Sequence, residues 1–453
     1  MNSSLAAGEN VSRHPLSAHL MRLAGWLAAI GATVLLISIG VSKSGQNIGG
    51  ALLILSLAIS GPAVWKALGR DRLTWATVAW LLAVFSSAVY ASVAIGIPLD
   101  EQSTYIWRFS RLFLIPLVAW GMALGGLSAY RGYVLVFTGY LLGMLYYTAL
   151  AGWPTFLTVS GRLDITGEGV QFYGLFSATA IIAAIAFGKT IHRHVAKPNA
   201  RWLNYAFWFL IASAGINGLL ISQARASLVA LAVGLLLLTV MSVANHLRKQ
   251  VSRPQKFIIA GGFSFAILGA FLFAYSYGAF DHSVDRFERD IDTLAEGPDP
   301  STGYFRETSL GIRLNQLQAG VEQWQEHWLL GYGPDGSRYA REAADLPERS
   351  ARSAPHHFHN IYMDLLVRFG VFGVAIASLF LLVYVASLRS PQYSSDNMSR
   401  QFALLGGTMF LVAGLTQTYW TSQVSWFYLA GVLSPALAGY TQHLLERIKL
   451  STH

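Results

Sequence analysis

The chain has 453 residues and a formal net charge of +9, and 54% of its residues are hydrophobic whereas 12% are charged. Soluble domains carry about 25% charged residues, so this composition excludes an ordinary soluble domain and indicates an integral membrane protein. The chain contains no cysteine, which excludes disulfides, thiolate nucleophiles and cysteine-ligated metals.

Apolar runs of about 20 residues, the length that crosses about 30 Å of hydrocarbon, recur along nearly the whole chain. The predicted spans lie near residues 20–40, 47–66, 73–95, 107–127, 132–152, 170–188, 203–222, 226–245, 257–278, 360–387, 401–420 and 425–444. They predict an all-α polytopic membrane protein with about twelve transmembrane helices. The first run is too long for a secretory signal, so no cleaved signal peptide is expected.

Three regions follow from this pattern. Residues 1–278 form a transmembrane bundle of about nine helices, residues 279–358 form one large outer loop, and residues 359–453 supply about three C-terminal helices. A connection of this length is not needed merely to join two helices, so a lid or binding platform over a membrane cavity is expected.

Lysine and arginine in the short connections predict the orientation. One set of connections is rich in them, namely Lys66, Arg70, Arg72, Arg131, Lys189, Arg193, Lys197, Arg201, Arg248, Lys249, Arg253, Lys256, Arg389 and Arg400. The alternating set holds few, namely Lys43, Arg108 and Arg111. By the positive-inside rule both termini are cytoplasmic, and the net charge reflects this bias, so it requires no nucleic-acid partner.

The large outer loop contains one amphipathic pattern and one acidic triplet. An apolar stripe recurs at helical spacing, formed by Leu310, Leu314, Leu317, Val321, Trp324 and Trp328. It is expected to pack on the transmembrane bundle or to rest in the membrane interface. The triplet Asp-Ile-Asp at 290–292 resembles a metal–nucleotide-sugar site, but nucleotide sugars are not supplied on the outer side.

Three arginines lie on the predicted outer side. Arg225 sits at the tight reversal between the seventh and eighth spans, Arg162 in an outer loop, and Arg313 near the start of the amphipathic helix. Each alone is commonly an interfacial arginine or the partner of a nearby acid. Together they indicate an anionic ligand, and the planar guanidinium fork matches the oxygens of phosphate or pyrophosphate.

Residues 356–373, HHFHNIYMDLLVRFGVFG, place three histidines at the outer end of an apolar run, namely His356, His357 and His359. A histidine at a helix end is commonly just an interfacial group. Adjacent histidines cannot easily share one metal ion, and no well-spaced Asp, Glu or Cys completes a ligand set. No metal is therefore expected.

The same stretch predicts a face of the tenth span. If a helix begins near His359, Gly370 lies about 20° and Gly373 about 40° from it around the axis, at about 100° per residue. Glycines on that face permit close approach of a neighbouring helix, which would fix the imidazole. Asn360 is expected to hold a ring or to bind a sugar hydroxyl.

The run of His359-Asn360, nine residues, Gly370, two residues and Gly373 resembles the signature of bacterial O-antigen ligases. The SQARAS stretch at Arg225, and SLGIR with Arg313 followed by GYG, are similar to further motifs of that family. The superfamily also contains O-antigen polymerases and protein O-oligosaccharyltransferases.

The resemblance implies a GT-C type glycosyltransferase architecture with one large periplasmic loop, in the bacterial inner membrane, with the active site facing the periplasm. Such an enzyme transfers O-antigen polysaccharide from undecaprenyl pyrophosphate to a terminal sugar of lipid A–core. The reaction is inverting and uses no metal or other cofactor. By motif position, His359 takes the role of the essential histidine, and Arg225 and Arg313 take the roles of the essential arginines. Arg162 matches no motif and is a donor-binding candidate from its position alone.

The chemistry of these residues agrees with that placement. An imidazole suits the general base that activates an acceptor hydroxyl, and arginines suit the stabilisation of a pyrophosphate leaving group. Two alternatives remain at this point: an O-antigen polymerase or protein O-oligosaccharyltransferase of the same superfamily, and an anionic-solute transporter. A transporter predicts charges near the membrane midplane and two related halves, and the sequence has no convincing internal repeat. Membrane lipids are expected partners in every case.

Overall fold

The computed structural model describes residues 15–151, 170–188, 198–249, 281–353, 356–390 and 397–451. These residues form helices and no β-strand, apart from an isolated bridge between Pro298 and Phe305. The predicted all-α class is therefore confirmed for this part of the chain.

The α-helices are numbered here in chain order. They are α1 Pro15–Ser38, α2 Lys43–Ala58, α3 Pro62–Leu68, α4 Arg72–Tyr90, α5 Leu99–Ser110, α6 Leu114–Leu124, α7 Ala129–Ala151, α8 Val170–Gly188, α9 Pro198–Ser222, α10 Arg225–Lys249, α11 Asp281–Glu296, α12 Ser309–Glu326, α13 Gly336–Ala343, α14 Glu348–Arg352, α15 Ile361–Leu388, α16 Asn397–Gly414 and α17 Gln423–Ser451. A π-helical turn, Ala91–Ile95, extends α4, and a 3₁₀ turn, Arg111–Phe113, joins α5 to α6.

Seven helical segments of the described residues are long and apolar enough to cross a membrane. They are His19–Ser38, Arg72–Ile95, Leu99–Leu124, Val170–Gly188, Arg201–Ser222, Arg225–Val243 and Ile361–Leu388. The predicted span 257–278 lies outside the described residues, and every other predicted span falls on a helix. A polytopic membrane protein is therefore supported, while the count of twelve stays a prediction.

The predicted straight span 47–66 is broken. Helices α2 and α3 meet at an angle of 110°, and they count as one further span only if the bent pair crosses together. Gly61 has a φ of 83°, which favours glycine, and Pro62 occupies the first turn of α3. A glycine in that conformation followed by a proline ends one helix and starts the next in a new direction.

The described residues between 281 and 360 form four helices and a small apolar core. Tyr332, Ala340 and Phe358 from this segment pack with Met363 and Val367 at the start of α15. The apolar stripe predicted on α12 is partly confirmed, since Leu317 and Trp324 pack against that core. Val321 and Trp328 stay 36% and 55% exposed, as the membrane-interface alternative would have them.

The most deeply buried face of α12 was not predicted by the hydrophobic pattern. It consists of small and amide side chains, namely Gly311, Asn315, Gln316, Ala319, Gly320 and Gln323. Asn315 exchanges hydrogen bonds with the backbone of Phe305, and Gln316 donates to the carbonyls of Ser350 and Ser353. These bonds fix α12 in addition to the apolar contacts of Leu317 and Trp324.

Helix α15 is interrupted at Gly370, whose backbone has φ 60° and ψ −167°. The loop that follows α12 fills the interruption. The N–H groups of Tyr332 and Gly333 donate to the carbonyls of Val367 and Arg368, at 2.8 and 2.9 Å. In return, the N–H groups at 371 and 372 donate to the carbonyls at 328 and 329, at 2.9 and 3.1 Å. The backbone groups that the break would leave unpaired are thus satisfied by residues 328–333.

Candidate active site

His359 stands just before α15, not on it. Asn360 is the N-cap residue of the helix, and its side-chain oxygen accepts hydrogen bonds from the N–H groups of Tyr362 and Met363, each at 2.9 Å. Its amide nitrogen donates to the carbonyl of Leu415 at 2.9 Å. Asn360 therefore serves as a helix cap and a tie to the next connection. Its role in holding a ring or binding a sugar hydroxyl stays a prediction.

The backbone at His359 adopts φ 49°, which a non-glycine side chain rarely adopts. The imidazole Nε2 lies 3.4 Å from the Ser353 hydroxyl oxygen. The ring packs edge-on against His357 with centroids 4.7 Å apart, and the His359 N–H donates to His357 Nδ1 at 3.3 Å. The loop before the helix therefore fixes the imidazole, and the predicted helical azimuth does not apply.

The Nδ1 atom of His359 is buried and has no well-formed hydrogen bond to any described residue. Burial, followed by the neighbouring His357 and Arg313 and, least of all, Arg341, lowers the pKa of His359 to about 3. The side chain of Gln417, close to the ring, has a smaller and opposite effect on this pKa. The imidazole is therefore neutral at physiological pH, so it can accept a proton.

Two arginines fix the loop that carries His359. Arg341 donates to the carbonyl of His357 at 2.7 Å, and Arg368 donates to the carbonyl of His356 at 2.6 Å. Arg368 is fully buried and forms an ion pair with Asp364 at 2.8 Å. Its guanidinium also donates to the carbonyl of Pro334. Arg368 is the charge inside the apolar run, and its contacts make it a positioning residue for the histidine loop.

Arg225 begins α10 and contacts residues of α11 and α12. Its NH1 donates to Asp290 Oδ2 at 2.5 Å, and its NH2 donates to the Ser309 hydroxyl at 3.1 Å. The other oxygen of Asp290 accepts from the Leu310 N–H at 3.0 Å. One carboxylate therefore links the arginine of the predicted hairpin to the first turn of α12.

Arg313 lies one helical turn after Ser309 on the same side of α12. Its positive charge acts on two groups, since it lowers the pKa of His359 and opposes the rise that burial causes in the pKa of Tyr419. The first two turns of α12 thus link the two sides of the site. Ser309 accepts a hydrogen bond from Arg225, and Arg313 acts electrostatically on His359. The structure brings these three predicted residues to one region.

The remaining predicted residues have different outcomes. Arg162 lies outside the described residues. Gly370 does permit a close approach, but of a loop: a Cβ atom there would lie 2.2 Å from the carbonyl oxygen of Leu329. At Gly373 a Cβ atom would lie 2.1 Å from the side chain of Phe369, one turn earlier in α15. The expected approach of a neighbouring transmembrane helix to a His359–Gly370–Gly373 face is therefore wrong.

Several residues of the site were missed or misread from the sequence. Asp290 belongs to the triplet that suggested a metal–nucleotide site, yet it pairs with Arg225. Gln417 and Tyr419 come from the short connection between α16 and α17. The one available signal was the predicted position of that connection on the outer side. Among the residues that the structure describes, no group of three or more His, Cys, Asp or Glu side chains could hold a metal ion.

Two comparisons with known proteins bear on this region. No curated protein matches the chain. A family model described as O-antigen ligase matches residues 206–378. That range includes Arg225, Arg313, His359 and the interruption at Gly370. The match supports placing this chain in the superfamily of O-antigen ligases and polymerases, and with it a membrane glycosyltransferase-like function.

Proposed function

We propose that this chain is an O-antigen ligase. It transfers O-antigen polysaccharide from undecaprenyl pyrophosphate to a terminal sugar of lipid A–core, with inversion and without a metal. In this proposal the protein has a GT-C type architecture in the bacterial inner membrane, both termini are cytoplasmic, and the site faces the periplasm. The match to the O-antigen ligase family and the helical membrane segments support the proposal.

The observation that carries it is the grouping of a neutral histidine with two arginines. His359 has a pKa lowered to about 3 and a buried Nδ1 without a well-formed hydrogen bond among the described residues. Arg313 acts electrostatically on the same imidazole, and Arg225 reaches Ser309 in the turn of α12 before Arg313. A base beside cations is the combination that transfer from a pyrophosphate donor requires.

The proposed reaction takes place in one displacement. His359 removes the proton of an acceptor hydroxyl as that oxygen attacks the anomeric carbon of the donor. The bond from the anomeric carbon to the pyrophosphate oxygen breaks, and undecaprenyl pyrophosphate leaves with the bonding electrons. Attack from the face opposite the leaving group inverts the anomeric configuration. Arg225 and Arg313, with Arg162 as a further candidate, stabilise the charge of the pyrophosphate.

Donor binding would also strengthen the base. The positive charge of Arg313 contributes to the low pKa of His359. A bound pyrophosphate would neutralise that charge, so the pKa of the imidazole would rise towards its usual value near 6.5. His359 would then become a stronger base only when the donor is present.

The test uses purified protein with EDTA, an undecaprenyl-pyrophosphate-linked glycan and lipid A–core. We expect wild type to shift lipid A–core on a gel and His359→Ala to lose about 10²- to 10⁴-fold in rate. His19→Gln, a change at an exposed histidine near the N-terminus, is the matched control and should keep full activity.

The other outcomes separate the alternatives. Lengthening of the polyprenyl-linked glycan with lipid A–core untouched would identify a polymerase, and modification of an added protein acceptor would identify a protein O-oligosaccharyltransferase. A folded wild type that modifies no acceptor would favour an anionic-solute transporter. Undiminished activity in His359→Ala would remove the assigned base.

A further inference from the structure

A second basic site lies apart from Arg225 and Arg313. A cavity of about 460 Å³ is lined by three cations, Lys43, Arg108 and Arg111, and by the hydroxyl side chains of Thr104, Thr421 and Ser422. No carboxylate is among its lining residues. The three cations are those of the set of short connections that is poor in lysine and arginine.

Arg111 is the most buried of the three cations that line this cavity. Its side chain lies where α5 passes into the 3₁₀ turn, and the residue is 7% exposed. The guanidinium carbon lies 5.6 Å from the centroid of the Trp107 ring and 6.0 Å from that of Phe427, so two aromatic rings hold it. Its buried NH1 atom has no hydrogen-bond partner among the described residues. A buried guanidinium nitrogen without an acceptor is costly, and an anion would satisfy it.

The other two cations are more accessible. Lys43 is exposed at the start of α2, and Arg108 is half-buried one helical turn before Arg111. Like charges one turn apart on a helix repel each other. An anion between the two guanidinium groups would reverse that repulsion, and the hydroxyl groups around them would complete its hydrogen bonds.

The cavity and the surroundings of His359 share one connection of the chain. Thr421 and Ser422 belong to the connection that also carries Gln417, which lies against the His359 ring. Trp107, another lining residue, is 58% exposed, as suits an aromatic side chain at a membrane interface. In the predicted orientation the cavity would therefore face lipid headgroups on the side of the proposed chemistry.

We propose that Lys43, Arg108 and Arg111 bind the phosphate group of a membrane lipid beside the active site. Two lipids could supply this phosphate: the acceptor glycolipid, through the phosphates of its lipid A, and the anionic phospholipid of the bilayer. The first source rests on the proposed function; the second does not. In either case the site holds a lipid headgroup close to the connection that contacts the catalytic histidine.

Lipid binding to full-length protein, without donor and therefore without turnover, tests this proposal. Native mass spectrometry compares phosphatidylglycerol with diacylglycerol, which lacks the phosphate, and lipid A–core with enzymatically dephosphorylated lipid A–core. We expect Arg111→Gln to weaken binding of the phosphorylated lipid about tenfold, since a charge-assisted hydrogen bond is lost. Arg70→Gln, at an exposed arginine of the opposite loop set, should leave binding unchanged.

Because Arg111 is buried and its replacement can impair folding, the double variant Lys43→Gln, Arg108→Gln is measured beside it. The same loss in the double variant supports the site. Preference for phosphatidylglycerol identifies the bilayer as the source, and preference for lipid A–core that vanishes on dephosphorylation identifies the acceptor. Unchanged binding in both variants, or equal binding of phosphorylated and phosphate-free lipids by wild type, would overturn the proposal. None of these results depends on His359 being a base.

Discussion

Two non-glycine residues of the described chain have positive φ. One lies close to a residue of the proposed site, and the other belongs to that site. Gln223, with φ 46°, lies two residues before Arg225, and the other is His359 itself, with φ 49°. This backbone region costs about 1–2 kcal/mol for residues with a Cβ atom. Such strain persists where surrounding contacts over-determine it, and it is concentrated at functional sites. At His359 these contacts are the hydrogen bonds of Arg341 and Arg368 to the carbonyls of His357 and His356.

The ion pair of Arg225 with Asp290 leads to a prediction about donor binding. The carboxylate occupies the arginine that the proposal assigns to pyrophosphate, so the donor must displace it. Asp290→Asn removes the charge and keeps an oxygen for the Leu310 N–H. We expect the KM for the donor to fall several-fold, measured by initial rates at saturating acceptor.

Arg225→Lys is expected to weaken the enzyme, in contrast to Asp290→Asn. A lysine keeps the charge and loses the planar fork, so we expect the rate to fall about 10²-fold or more. Arg201→Lys, an arginine of the opposite loop set, is the matched control. Full activity in Arg225→Lys would count against bidentate recognition, and a loss of activity in Asp290→Asn would make the carboxylate an orienting group instead of a competitor.

The lowered pKa of His359 predicts an unusual pH profile. Because the pKa in the free protein lies below the ordinary value, the imidazole stays neutral as the pH falls through 6.5. We expect kcat/KM for the donor, which reports the free enzyme, to stay level from pH 8 to about 5. The acidic limb of the kcat profile should lie at higher pH than that of kcat/KM, since bound pyrophosphate is expected to raise the pKa of His359. A kcat/KM limb centred near pH 6.5 would contradict the buried environment.

Short motifs located part of the site, and folding supplied the remainder. Arg225, Arg313 and His359 were identified because each lies in a compact sequence pattern. Asp290 and Gln417 could not be identified in this way, since they approach their partners only when separate helices and connections pack together. The triplet at 290–292 carried a real signal, but the sequence does not state that its partner is an arginine and not a metal ion.

At the scale of elements, the central feature is the junction of α15 with the loop after α12. Gly331 and Gly370 pack against each other's segments: a Cβ atom at Gly331 would lie 2.4 Å from the carbonyl carbon of Arg368. The hydroxyl of Ser87 on α4 lies 2.7 Å from the carbonyl oxygen of Leu330 and 2.9 Å from that of Arg368. The GYG stretch that begins at Gly331 and the glycine of the His359 signature, Gly370, are therefore the two sides of one contact.

Gly370→Ala should disrupt this junction. The new methyl group would meet the Leu329 carbonyl at 2.2 Å, and φ 60° adds backbone strain. We expect transfer activity to be lost and the thermal unfolding midpoint of the detergent-solubilised protein to fall by several degrees.

Two controls separate the causes. Gly126→Ala has a similar φ of 66° and meets nothing within 4 Å, so it isolates backbone strain. Gly50→Ala lies within α2 and also meets nothing within 4 Å, so it should be neutral or stabilising. If Gly370→Ala is no worse than Gly126→Ala, the close packing of the loop is not needed.

The sequence could not predict this junction because the helical-wheel argument assumes a continuous helix. An apolar run with a glycine is compatible with both a straight and a broken helix, and the difference depends on whether another segment supplies hydrogen bonds. Those partners come from residues 328–333, whose turn-rich composition indicated a loop but not its position.

At the scale of the whole molecule, hydrophobicity alone placed the helices well. The signal is strong because backbone groups in hydrocarbon must be hydrogen-bonded, and a long apolar helix achieves this within its own segment. Breaks such as the bend at Gly61 are set by local backbone conformation, which leaves the average hydropathy unchanged. The side of the membrane on which each connection lies remains a prediction from the distribution of lysine and arginine.

The absence of native cysteine makes that orientation directly testable. Ser301→Cys and Gln318→Cys add thiols at exposed positions of the outer segment, and Arg70→Cys and Gln442→Cys add them at predicted cytoplasmic positions. We expect a membrane-impermeant maleimide to label the first pair in intact spheroplasts and the second pair only after lysis. The cysteine-free parent is the control, and the reverse pattern would invert the topology.

The interruption in α15 also constrains the order of assembly. The carbonyls of Val367 and Arg368 find their partners in residues 332 and 333, which are synthesised before the helix that needs them. A nascent α15 in lipid alone would expose unpaired backbone to hydrocarbon. In the proposed topology the outer segment has already crossed the membrane when this helix emerges from the ribosome. The earlier-made segment can therefore act as an intramolecular template on which the last part of the bundle is completed.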